Sequence, residues 1–176
     1  MRLFISLFAL LSCTWSAAAL ATPQIQDMIK VDGKSLSLKD EPLKTYLDQR
    51  KITFKPPHSG NWRGYVAHWT LTDKTLLLDE ISGGEVQPIS SPGWARVGKT
   101  TGFRMPGQRL PRQATWYSGT LLIGLTPVKN LSPYAPYEKS YERFLLVNIK
   151  EGVVVGKQTL RADQLHTQPP LGIRAP

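Results

Sequence analysis

Three side chains in this sequence are of the types that build a hydrolytic centre: His68, Asp79 and Ser118. His68 lies in a run in which Tyr65, Ala67, Trp69 and Leu71 alternate with Val66, His68, Thr70 and Thr72, and a turn at Thr72-Asp73-Lys74-Thr75 returns the chain through Leu76, Leu77 and Leu78. An even-length loop sets Trp69 opposite Leu78 on one face of the ribbon and His68 opposite Asp79 on the other. A carboxylate facing an imidazole fixes its tautomer, and Ser118 would then supply the nucleophile. Yet Tyr117-Ser118-Gly119 lacks the elbow pattern that exposes a nucleophilic serine. A polar cross-strand pair, worth roughly 0.2–1 kcal/mol, accounts for His68 and Asp79 as well as a triad does. No catalytic set is therefore assigned.

Other chemistries find less. His58, His68 and His166 form no HxH, HExxH or paired-cysteine spacing, so neither a metal site nor a cofactor is expected. Asp79, Glu80, Glu138 and Glu142 include no pair set apart for glycoside hydrolysis. Gly83-Gly84 does not join a strand to a helix as a phosphate loop must.

The strongest candidate for function is a basic, aromatic-bearing stretch. Between Ser82 and Gln113 the chain is rich in Gly, Pro and Ser, and its five cations face the single acid Glu85. Trp94, Arg96, Lys99, Phe103, Arg104, Arg109 and Arg112 are the candidate partner-binding residues within it. A structureless loop of this length in a small domain either hides short strands or forms a functional surface. Trp62-Arg63 either extends the patch or plugs a sheet end.

The N-terminus decides which partners are within reach. Met1-Arg2, the apolar run Leu3 to Leu11 and the small residues ending at Ala19-Leu20-Ala21 match a secretory signal, too short for a membrane span. Cleavage after Ala21 would leave 155 of the 176 residues, without a cysteine and with a charge of +8 in place of +9. The alternative is lipid anchorage, because Leu10-Leu11-Ser12-Cys13 approximates a lipobox in which Cys13 becomes the lipidated first residue. The expected location is the periplasm, or the envelope membrane through Cys13, with no transmembrane helix remaining. Export argues against nucleic acid as the partner and leaves an acidic protein or an anionic envelope component.

The composition, 41% hydrophobic and 20% charged, excludes collagen, coiled coil and wholly disordered chains. Residues 22–164 read as one β-rich domain, with a loose tail over 165–176. Asp32-Gly33 and Glu151-Gly152 mark tight hairpins, the second joining Phe144–Ile149 to Val153–Lys157. Trp116 to Ile123 reads as a further strand, and Lys51 to Asn61 as a loop. Asp40-Glu41-Pro42-Leu43, with Leu47 four residues on, predicts the one substantial helix, capped by a carboxylate. The fold class is mainly β: a small antiparallel β-sandwich or half-open barrel with one short helix.

Asp32-Gly33, Pro42-Leu43 with Tyr46, Trp62-Arg63-Gly64-Tyr65-Val66-Ala67 with Trp69, Trp116-Tyr117-Ser118-Gly119-Thr120-Leu121 and Tyr141-Glu142 together resemble a family of small, mostly uncharacterised exported bacterial proteins. The resemblance spans most of the mature chain and implies one exported domain without assigning an activity. A more polar, glycine-bearing turn is expected before Tyr141, where this chain has Tyr134-Ala135-Pro136-Tyr137-Glu138. The resulting expectation is a non-catalytic periplasmic binding protein, in its concrete form an immunity protein that blocks an antibacterial toxin. The alternatives are an envelope hydrolase using Ser118, His68 and Asp79, or a lipid-anchored envelope structural protein.

Overall fold

The computed structural model describes residues 23–83, 86–88, 109–132 and 134–165. The proposed signal with Cys13, the loop residues Trp94, Arg96, Lys99, Phe103 and Arg104, and His166 lie outside them.

Strands β1 (Asp27–Val31) and β2 (Lys34–Leu38) form the first hairpin. Its two turn residues take positive φ, 48° at Asp32 and 76° at Gly33, as a two-residue loop matched to strand twist demands. Helix α1 (Pro42–Gln49) follows and buries Pro42, Leu43, Tyr46 and Leu47. The expected carboxylate cap is absent. Pro42 holds the residue before it, Glu41, out of the helical region, and the cap position carries no side-chain hydrogen bond. Asp40 instead accepts the Leu122 N–H at 2.8 Å, tying the helix entry to a later strand. Lys51, at φ 53°, ends the helix.

The segment expected to be a loop opens with β3 (Ile52–Phe54), which pairs with β6 (Val86–Pro88) in a small second sheet. β4 (Tyr65–Leu71) and β5 (Leu76–Gly83) make the central hairpin, in which alternate residues of β4 are buried. Thr72 Oγ1 organises its turn by accepting the Lys74 and Thr75 N–H groups. β7 (Arg112–Gln113), β8 (Gly119–Pro127), β9 (Tyr141–Lys150) and β10 (Val153–Arg161) complete the set.

Eight strands join in the order β10-β9-β8-β2-β1-β4-β5-β7. The pairing is antiparallel except between β1 and β4, which run parallel, a departure from the all-antiparallel expectation. The segment carrying α1 and β3 is the reason, since a parallel neighbour needs a long crossover and this one supplies it. The sheet curls until the β9–β10 turn reaches the β4–β5 turn, where Thr75 bridges Val153 and Leu76 N–H meets the Gly152 carbonyl at 2.9 Å. Of the two architectures expected, the half-open barrel forms. Its interior holds Trp69, Ile29, Leu38, Leu78, Leu121, Ile123 and Ile149, all essentially without solvent contact, and Leu43, Tyr46 and Leu47 of α1 join the same core. Among the described residues no helix is long and apolar enough to cross a membrane.

The strand expected from Trp116 begins only at Gly119. Trp116 and Tyr117 belong to a tight turn, with Tyr117 N–H on the Ala114 carbonyl at 2.9 Å, and the Trp116 indole N–H donates to the Pro42 carbonyl at 3.0 Å.

Candidate functional site

The expected pairing of His68 with Asp79 does not occur. A β-bulge shifts the register between Trp69, which faces Leu78, and His68, which faces Glu80. Asp79 is the extra residue, and its carboxylate takes a 2.6 Å hydrogen bond from Thr70. One inserted residue changes the partner of every position beyond it, which is why alternation alone misplaced the pair. The His68 ring sits 3.2 Å from Ser82 Oγ, and Ser118 Oγ accepts the Glu151 N–H at 2.9 Å beside the last hairpin. Each member of the conjectured triad has a separate partner, and the structure does not bring the three together.

Of the seven candidate partner-binding residues, Arg109 and Arg112 are described. Arg109 is exposed. Arg112, on the edge strand β7, holds its guanidinium 5.7 Å from the Trp116 ring centre. Trp116 packs against Tyr46 at 4.8 Å with the rings tilted by 53°, and Arg50 lies 3.8 Å over the Tyr46 ring. Two guanidiniums thus flank two aromatic rings. Each such contact stabilises by about 0.5–1 kcal/mol at an exposed site and fixes the direction of the guanidinium. Among the described residues neither Arg50 nor Arg112 has a carboxylate partner. Tyr46 and Arg50 escaped the sequence reading as functional residues, although their spacing of four on a helix puts them on one face.

A second feature was not foreseen. Asp27 is fully buried, and its carboxylate accepts the Ala67 N–H at 3.1 Å and the Trp69 indole N–H at 3.2 Å while Arg63 stands 3.0 Å away. Burial pushes the Asp27 carboxyl above its ordinary range, and the Arg63 charge and the two N–H donors act against that rise. Arg63 also reaches the Ile25 carbonyl at 2.7 Å and Glu41 at 3.5 Å, and its guanidinium lies 5.1 Å from the Tyr65 ring centre. Gly64, next in the chain, has a φ of 75° and packs closely on β3, where a Cβ would stand 2.6 Å from that of Phe54.

Arg63 forms one wall of a cleft of about 460 Å³ between the segment before β1, the entry to α1 and the Tyr137–Tyr141 segment. Tyr137 anchors the far wall: its hydroxyl accepts the Gly124 N–H at 2.8 Å and lies 3.0 Å from the Ser37 carbonyl. Tyr141 packs over Gly124, where a Cβ would come within 2.4 Å of the ring, and meets Tyr137 at 5.0 Å. Trp62 does not plug the sheet. It is 69% exposed, with its backbone N–H held by the Gln24 side chain.

Among the described residues no three His, Cys, Asp or Glu side chains cluster as metal ligands. No protein-family model matches the chain, and no curated protein and no solved structure matches it either.

Proposed function

We propose that the chain is a non-catalytic binding protein of the periplasm whose basic face captures an acidic protein, in its most specific form an antibacterial toxin that it neutralises as an immunity protein. The observation that carries this reading is the Arg50–Tyr46–Trp116–Arg112 stack. It continues the basic stretch into the described fold and presents two oriented guanidiniums that have no carboxylate partner among the described residues. Arginine beside aromatic residues is the composition of an interface anchor, and opposite charge on the partner would speed association and make it sensitive to salt.

The test is survival. A strain lacking the gene should die beside toxin-producing siblings, and the wild-type gene should rescue it. Arg50→Glu with Arg112→Glu should not rescue, although the protein accumulates in the periplasm at the wild-type level. Truncating either arginine to alanine should weaken binding to the isolated toxin by about 2 kcal/mol, close to thirtyfold. Normal survival of the deletion strain would refute the immunity reading.

A further inference from the structure

The segment that leads into β1 and the segment that ends at Trp62 meet in a tip whose composition differs from that of the basic face. Pro23, Ile25, Pro56, Pro57 and Trp62 are all exposed, and among the described residues Trp62 is the most exposed of the large apolar side chains. Residues 23–26 and 55–62 contain no acid, and Lys55 is their one formal charge. An exposed apolar patch of this kind marks contact with a protein or with a membrane.

The tip is tied together through its own polar groups. Ile25 donates to the Gly60 carbonyl at 2.8 Å, and the Gln24 side chain donates to the Ser59 carbonyl at 2.9 Å while its oxygen accepts the Trp62 N–H at 3.0 Å. Asn61 donates to the His58 carbonyl at 3.0 Å, and Arg63 to that of Ile25 at 2.7 Å. Amides that leave water must bring their partners with them, so a tip bonded in this way can enter a layer poor in water without stranding those groups. The course of the chain says which layer. The residues before Pro23 hold the apolar run Leu3 to Leu11 and Cys13, and they join the fold in the tip itself. Anchorage through Cys13 leaves only residues 14–22 between lipid and fold, a reach of at most about 30 Å. A tether that short keeps the tip close to the bilayer, where a Trp ring is favoured at the level of the headgroups.

We propose that this tip contacts a phospholipid membrane of the envelope, with Trp62 and Ile25 seated among the headgroups and Lys55 facing anionic ones. The inference rests on the export that the binding reading also requires, but it uses a surface other than Arg50 and Arg112. Because Trp62 and Ile25 are exposed, the variants that test the contact leave the core untouched.

The experiment mixes the full chain, as exported, with vesicles of phosphatidylethanolamine and phosphatidylglycerol whose acyl chains carry bromine close to the headgroups, a quencher that acts on an indole lodged among the lipids. The wild type should lose indole emission and shift it to the blue. Trp62→Phe should abolish both changes, and Ile25→Ser should weaken the quenching about threefold at unchanged melting temperature. Arg50→Ala with Arg112→Ala should be quenched like the wild type while losing toxin binding, and Trp62→Phe should keep toxin binding, so failure here and failure of the binding reading are distinguishable. The proposal is overturned if the vesicles leave the emission unchanged, if Trp62→Phe is quenched like the wild type, or if a second copy covers the tip instead, seen as a dimer in sedimentation that Trp62→Ser dissolves.

Discussion

At the scale of single residues, Asp27 makes the heaviest demand on its surroundings. A carboxylate with no solvent contact must be paired and hydrogen-bonded, and Arg63, the Ala67 N–H and the Trp69 indole meet that need from one side of β4. Arg63→Met would leave the charge buried and unpaired, a change that destabilises by about 3–5 kcal/mol. The pH dependence follows from the direction of the Asp27 shift. Burial already raises its folded-state pKa above the ordinary 3.8, and removing Arg63 raises it further. The native state then binds the proton more readily than the unfolded chain does. Stability is therefore lost as pH rises from the unfolded value through the folded one. The gap between Arg63→Met and wild type should be widest at neutral pH and should close as pH falls and Asp27 protonates in both proteins. Urea melts at a series of pH values measure this, and a gap independent of pH would show that Arg63 acts through packing alone.

The elements differ in how plainly the chain encodes them. Hairpins at Asp32-Gly33 and Glu151-Gly152 are legible because only a few residue types tolerate two successive positive φ values. Helix α1 is legible from Pro42, Leu43 and Leu47, but its cap is not, since Asp40 was competed for by an N–H on β8 that lies 82 positions away. The bulge at Asp79 and the parallel pairing of β1 with β4 left no local mark either. For the same reason the Arg63 cleft stayed hidden: its walls come from segments far apart in the chain, whereas the basic stretch is contiguous in the sequence. Gly64 and Gly33 allow the two contributions of a glycine to be separated, because both have φ near 75° but only Gly64 abuts Phe54. Gly33→Ala, with nothing within 4 Å of the new Cβ, should cost about 1–2 kcal/mol from backbone strain. Gly64→Ala adds overpacking against β3 and should cost about 1–3 kcal/mol more. Thermal melts of the two variants give the comparison, and equal losses would mean that β3 yields to the methyl group.

For the whole molecule the decisive contact is the one that bends the sheet into a half-barrel. Strands far apart in the sheet order are joined where the β9–β10 turn docks on the β4–β5 turn. Leu76 and Val154 donate to the Gly152 and Lys74 carbonyls, and Gly152 donates to Tyr117, all at 2.9 Å. The glycine suits both its turn and its neighbour, since its φ is 75° and a Cβ would come within 2.7 Å of the Ala114 backbone. The ion pair of Lys157 with Asp73 lies over the same junction, but Asp73 is 97% exposed and the pair contributes little. Closure therefore rests on backbone bonds that shield the interior containing Trp69 and Ile149, so the junction should open only when that interior does. Hydrogen exchange separates the possibilities: the amides of Leu76, Gly152 and Val154 should exchange as slowly as those of Trp69 and Val147 in the sheet centre, with the free energy of global unfolding. Lys157→Ala should leave those rates unchanged. If the three junction amides exchange faster than the centre, the last hairpin undocks on its own and the half-barrel is an open sheet for part of the time.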